Sequence, residues 1–477
     1  MLRAFFNRYT QSRYRYLWAW ICTGIVCGAL LLPFLVTEGL FLDGLVYATV
    51  ARNMAQGYGT FFIPVFEANM HVPFYEHPPL AFWLESLFFR AFGDHFYTEK
   101  LYSLCMAVLG VAGIAANWRL LFARSESAAL GFLPVLLWIC IPTVHWAYQN
   151  NMLENTLSVL VLCSTWFSIK SMQSDKIEYI FPAAVCIWLA FLSKGPVALF
   201  PLFTPFLYGI TIKRQRAGGA LVSSILLMLF TAATGVLHLS IMPDLNISLS
   251  RYMHQQVLPS MQNMREVTTS NPATILLFLL RELGIPALLV LSACLLCFRQ
   301  RIFTGNSRHI FVFLLLTGLT ASLPLMVTLK QRSFYLLPSL PYYCMALAVL
   351  CAPHVQALLH KRYSVKIPAL LAAVSIPILL VVTGMRWGSI GRDQDLVHDV
   401  HLVSTYMKPG EIGNLEEGLC SDWSVFAYSM RIGRISWTCG NSDAWYLAEH
   451  DTTTHAGRAL SPVNAPFRGL KLYRVQK

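Results

Sequence analysis

Charged side chains are scarce in this chain, and those able to do chemistry stand at the ends of apolar runs. Only 13% of the 477 residues are charged, so an ionisable group beside a membrane-length apolar run is a functional candidate by default. Asp43 (FLDGL) follows the first such run, residues 17–37, and Glu76 (FYEHPP) lies further along the same loop. Glu154 (NNMLENTL) opens a later run. Lys194 stands in a Ser-Lys-Gly-Pro break, and Lys330 and Arg332 share the stretch VTLKQRSFYLLP. Lys and Arg complement phosphate as point charge and fork. Three such cations beside lipid therefore suit a phosphorylated lipid. Snorkelling to headgroup phosphates is the competing reading of the same cations, and the helix dipole alone favours an acid at the position of Glu154.

The elements that must bring these groups together are membrane helices. A chain that is 56% hydrophobic with so little charge reads as an all-α polytopic membrane protein. Apolar runs occur at about 17–37, 101–122, 128–146, 154–172, 179–193, 195–212, 219–242, 273–298, 309–329, 334–353 and 367–385, or about eleven spans. Residues 179–212 as one helix would measure about 51 Å, too long for a core of about 30 Å. Ser193-Lys194-Gly195-Pro196 breaks the run into two short helices with a turn at one face.

The net charge of +12 does not point to nucleic acid, because the basic residues fall in short clusters between apolar runs. With a cytoplasmic N-terminus, the inside loops hold Arg119 and Arg124; Lys170 and Lys176; Lys213, Arg214 and Arg216; Arg299, Arg301 and Arg308; and Lys361, Arg362 and Lys366. Four arginines precede the first run with no A-x-A site after it, which predicts an uncleaved anchor. In this topology the six chemical candidates share the outer face.

The loop 243–272 also falls outside, as do two longer hydrophilic regions. The first loop, within residues 38–100, has about sixty residues, too many for a mere connection. Apolar faces at Leu45, Tyr47, Ala48, Ala51 and Met54, and again over Leu80 to Ala91, predict two short helices along the membrane surface. Residues 386–477 form a tail long enough for a small soluble domain, leaving 1–385 as the membrane domain. The tail holds Cys420 and Cys439; on an oxidising side a disulfide and two free thiols are both open. The other ten cysteines of the twelve lie in or beside apolar runs and read as small hydrophobes, including the Cys294-x-x-Cys297 pair.

Taken in register, these features resemble the lipid-dependent glycosyltransferases of GT-C type. The order is FLDGLVYATVARNM, then Tyr75-Glu76-His77-Pro78-Pro79-Leu80, FWLESLFFRAFGD, an acid at Glu154, Ser193-Lys194-Gly195-Pro196, and KQRSFYLLP from Lys330. The nearest resemblance is to the protein mannosyltransferases and the aminoarabinose transferases of lipid A, over residues 17–353. The chain departs from the pattern at Gly44, where Glu is frequent, at His77, where Lys is common, and at Glu154, where Asp is commoner.

The resemblance implies a donor sugar on polyprenyl phosphate and an acceptor that is a lipid, another glycan or a protein. It implies Asp43 as general base, kept ionised by nearby cations, and Glu154 as a second acid orienting acceptor or sugar. Lys194, Lys330 and Arg332 would hold the lipid phosphate, with His77 adding to them when protonated, and Tyr335 and Tyr75 would line the carrier site. No cofactor is required by this chemistry. Some relatives hold a divalent metal, for which Glu76 and His254 are the only pair to consider, and two ligands do not define a site. A bacterial inner membrane is the expected location. A transporter or flippase of lipid-linked sugars is the alternative, though transporters place polar groups near the midplane in repeats, and none is visible. Walker A, H-E-x-x-H and G-x-S-x-G sequences are absent.

Overall fold

In lipid, a backbone must satisfy its own polar groups, so apolar runs fold as helices. The computed structural model describes residues 2–67, 73–123, 125–213, 217–296, 300–303, 305–360, 366–440 and 444–476. Of the residues named above, Arg124, Arg214, Arg216, Cys297, Arg299, Lys361 and Arg362 lie outside this set.

The chain begins with α1 (Leu2–Leu35), then the loop helices α2 (Leu42–Ala55) and α3 (Leu80–Phe92). Next come α4 (Thr98–Leu121), α5 (Phe132–Ile139), α6 (Pro142–Gln149), α7 (Leu153–Ser174), α8 (Ile180–Lys194) and α9 (Thr204–Thr211). The remaining membrane part comprises α10 (Ala217–Ile241), α11 (Pro243–Tyr252), α12 (Leu258–Met261), α13 (Thr274–Glu282), α14 (Gly284–Leu296), α15 (Ser307–Ser322), α16 (Leu340–His360) and α17 (Lys366–Arg386).

Among the described residues, seven helical stretches are long and apolar enough to cross a membrane, or up to nine if each of two bent pairs is one span. The sequence reading of about eleven differs from this in definite places. The run at 128–146 is broken, with α5 and α6 bent by 80°, and the run at 273–298 bends by 43° between α13 and α14. The helix α7 is not among the seven. It carries Glu154, Asn155, Thr156, Ser158, Ser164, Thr165 and Ser168, all buried against protein rather than lipid.

Residues Ile177–Thr211 count as one apolar stretch of 35 residues, yet the contacts show the chain turning back. Lys194, ending α8, pairs with Glu154 in the first turn of α7. Lys213, just past α9, reaches the other end of α7, with Nζ 2.5 Å from Met172 O and 3.3 Å from Asp175 Oδ1. The return leg starts as a 3₁₀ segment, Gly195–Phe203. Gly195 makes the reversal at φ +74, with the Tyr252 ring so close that any side chain would collide with it.

The tail is an α/β unit. Helices α18 (Gln394–Tyr406) and α19 (Trp423–Gly433) accompany six strands: β1 (Ile412–Leu415), β2 (Ser436–Thr438), β3 (Trp445–Ala448), β4 (Thr454–His455), β5 (Arg458–Pro462) and β6 (Lys471–Val475). The sheet order is β2-β1-β3-β6-β5-β4. Strand β1 runs parallel to β2 and β3, and the other pairings are antiparallel. Cys420 and Cys439 are joined in a disulfide with Cα atoms 5.9 Å apart.

This unit covers the first loop and buries α2 beneath it. Every residue of α2 from Gly44 to Met54 is buried, Arg52 included. Residues of α2 and α3 share one apolar core with Val397, Val400, Ala427 and Tyr428 of the tail. Arg431 on α19 donates to Asp94 Oδ1 and Glu99 Oε2, each at 2.8 Å, and Arg52 Nη1 donates to Arg431 O at 2.9 Å. Tyr428 OH donates to Leu40 O at 3.1 Å. Buried apolar area and ionic bonds together pin α2 from above.

Candidate active site

Asp43 lies in the first turn of α2. It does not cap that helix: the N-cap is Phe41, with no side-chain cap bond. The residue after it, Gly44, passes so close to the Asn150 carbonyl that a Cβ would overlap it. The departure from the family pattern at position 44 thus has a packing cause. Lys194 and the Lys330–Arg332 pair, from two segments far from each other and from Asp43 in sequence, all act electrostatically on Asp43. The net direction differs from the one expected. Burial, aided by Glu266, outweighs the three cations and raises the Asp43 pKa above its usual 3.8.

The second acid is committed to a partner. Glu154 is buried at 1% exposure, and its Oε1 accepts from Lys194 Nζ in a short ion pair. Its Oε2 has no hydrogen-bond partner among the described residues. Lys194 Nζ also lies 5.3 Å from the Tyr335 ring centre and 5.9 Å from that of Phe334, within cation–π range. Glu154, Lys194 and Tyr335, far apart in sequence, therefore form one cluster where the first turn of α7 meets the last turn of α8.

Lys330 and Arg332 converge on a carboxylate that the sequence reading did not single out. Glu266 Oε2 is 3.5 Å from Lys330 Nζ, and Glu266 Oε1 accepts from Arg332 Nη2 at 2.9 Å. Between the two cations, Gln331 is buried and donates to Pro272 O at 2.8 Å and Thr328 O at 2.9 Å. Thr268 Oγ1 donates to Gln331 O at 2.8 Å. Inward anchoring of Gln331 turns its neighbours toward Glu266. The signal that could have found Glu266 was its place in the loop 243–272, expected on the same face.

His77 lies close to the same cations. Burial first, then Lys194, Arg265 and Lys330, hold its pKa well below the usual histidine range, so it stays neutral and adds no positive charge. Its Nε2 shares a 3.0 Å hydrogen bond with the buried Tyr47 OH, one turn along α2 from Asp43. Tyr75 is buried, with the Arg251 guanidinium 5.2 Å from its ring centre; no contact joins it to Lys330 or Arg332 among the described residues. Glu76 and His254 belong to no group of three or more potential ligands among the described residues. Two donors alone do not make a metal centre.

The family model described as dolichyl-phosphate-mannose-protein mannosyltransferase matches residues 76–240, about a third of the chain, including Glu76, His77, Glu154 and Lys194. No curated protein matches the sequence. Among solved structures, ArnT from Cupriavidus metallidurans, bound to undecaprenyl phosphate, is similar over 96% of each chain, with TM-score 0.62 at 13% identity. The same protein in its apo state gives TM-score 0.62, again at 13% identity, covering 96% of this chain and 97% of ArnT. The apo oligosaccharyltransferase of Archaeoglobus fulgidus gives TM-score 0.52 at 10% identity over 89% of this chain and 64% of that one. The chain is thus a multi-pass membrane protein with a fold similar to that of ArnT, carrying a segment that matches the mannosyltransferase family model.

Proposed function

We propose that the protein transfers a sugar from a polyprenyl-phosphate carrier to an acceptor hydroxyl at the extracytoplasmic face of a bacterial inner membrane. The observation that carries this reading is that Asp43 lies within electrostatic reach of Lys194, Lys330 and Arg332, from segments more than a hundred residues apart. In the reaction, Asp43 accepts the acceptor's proton as its oxygen bonds to the anomeric carbon. The bond from that carbon to the phosphate oxygen breaks, and the carrier leaves as a phosphate with one more negative charge. Lys330 and Arg332 stabilise that charge as it develops. Lys194, held by Glu154, adds positive potential beside Tyr335. The acceptor is a lipid, another glycan or a protein. Purified protein in liposomes, given a polyprenyl-phosphate sugar and candidate acceptors, should release free polyprenyl phosphate and form a new glycoside; no release with any donor overturns the reading.

In this reading Glu266 occupies the cations until the carrier phosphate arrives. Its side chain is 56% exposed, so the interaction is screened and contributes about 0–1 kcal/mol. Glu266→Gln should accordingly tighten polyprenyl-phosphate binding about two- to fivefold, measured by fluorescence or calorimetric titration. Lys330→Ala or Arg332→Ala should weaken it by about 1.5–3 kcal/mol per lost charge-assisted bond. Unchanged affinity in all three variants would leave the cations as headgroup anchors.

The orientation also has a test. The inside-loop charges put the N-terminus in the cytoplasm and residues 386–477 outside. Reporter fusions after Lys361 and after Arg392 should report opposite sides of the membrane, and the same side for both would reject this topology.

A further inference from the structure

One short turn, Gln149-Asn150-Asn151, fastens the start of α2 to the start of α7. Asn150 is buried. Its Oδ1 accepts the Phe41 N–H at 2.7 Å, and its Nδ2 donates to Trp146 O at 2.8 Å. Its backbone carbonyl lies against Gly44. The side chain therefore holds residue 41 while the main chain limits residue 44, and Asp43 stands between the two contacts. The turn itself is fixed. Asn151 adopts φ +52, and its Nδ2 donates to the buried Glu85 Oε1 at 2.7 Å. Lys100 Nζ donates to Gly39 O at 3.0 Å and to Gln149 O at 3.1 Å, tying together the two chain segments that cross here.

Glu154, the partner of Lys194, follows only four residues after Asn150. The separation between Asp43 and the Glu154–Lys194 pair is thus set by this crossing, not by the long loop. We propose that Asn150 is a positioning residue for Asp43, holding the carboxylate at a fixed distance from the Lys194 cluster through the Phe41 amide. The proposal rests on the reading of Asp43 as general base. An amide side chain meets the local demand, because one acceptor and one donor are needed at once. Aspartate keeps the acceptor for Phe41 and loses the donor for Trp146. Leucine loses both at similar volume.

The test uses full-length protein in detergent or liposomes, with Asn150→Leu and Asn150→Asp variants. Transfer is followed with a polyprenyl-phosphate sugar, carrier binding with polyprenyl phosphate, and backbone mobility by hydrogen exchange of the Phe41–Leu45 amides. N150L should lower kcat about 10- to 100-fold, as sub-ångström to ångström misplacement does, with carrier affinity within about twofold of wild type. Exchange over Phe41–Leu45 should quicken in N150L. N150D should recover most of the turnover at high pH, with its acid limb moved upward because a like charge is added two residues from Asp43, at the Phe41 amide. Wild-type turnover in N150L overturns the proposal. So does a joint loss of turnover, carrier binding and exchange protection throughout α4 and α7, which marks general damage. If wild-type protein transfers no sugar, the base assignment fails by itself. Exchange then still decides the clamp: unchanged protection over Phe41–Leu45 in N150L overturns it, and quickened exchange there upholds it.

Discussion

Asp43→Asn should lower sugar transfer about 10²–10⁴-fold, the usual contribution of a positioned general base, with polyprenyl-phosphate binding nearly unchanged. Asparagine keeps the shape of the side chain and removes only the ability to take a proton. Folding should be little affected, because Asp43 makes no capping bond to α2, and Asn would cap as well as Asp in any case. The pH dependence supplies a second readout. Burial raises the Asp43 pKa above 3.8, and a base is lost as it protonates, so transfer should fall as pH drops through a midpoint above that value. Removing a cation that acts on Asp43, as in Lys330→Ala, takes away a lowering influence and should move the midpoint further up. A variant with asparagine at 43 that turns over at the wild-type rate would move the search for the base to Glu154.

Lys194→Ala should be the most destabilising single change at the site, costing about 3–5 kcal/mol by leaving a buried charge without its partner. Glu154 is 1% exposed, and its second oxygen has no bond among the described residues to take up the loss. The double change Lys194→Met with Glu154→Gln removes both charges at similar volume and should regain most of that stability. It should not regain transfer, because the positive potential beside Tyr335 is gone. Thermal unfolding of the purified variants in detergent separates the two effects. If Lys194→Ala melts with wild-type protein, the pair is not a buried ion pair in the folded protein.

Much of the membrane architecture follows from local chemistry, so the amino-acid sequence alone determines it. Apolar runs must be helical in lipid, and the break at Gly195 is visible as a Lys-Gly-Pro sequence. The helices α2 and α3 were legible from their apolar periodicity, to within a few residues at Leu42–Ala55 and Leu80–Phe92. Asp43, Glu154, Lys194, Lys330 and Arg332 were conspicuous because ions beside lipid are costly and therefore rare.

Tertiary structure decided how those ions are partnered. Nothing near Glu154 in the sequence says that Lys194 is its counter-ion, and nothing near Lys330 or Arg332 announces Glu266. The sign of the Asp43 shift was also out of reach, since it depends on how much protein surrounds the carboxylate, and that cover comes partly from segments far along the chain. The tail shows the same limit. Its six-stranded sheet mixes parallel and antiparallel pairings of short strands, and its docking through Arg431 and Tyr428 buries α2 beneath the tail, which no local pattern in α2 announces. Helix formation is settled within a few turns of chain, so composition and period reveal it. Charge pairing, burial and docking are settled between residues up to hundreds of positions apart, and only the folded chain brings those together.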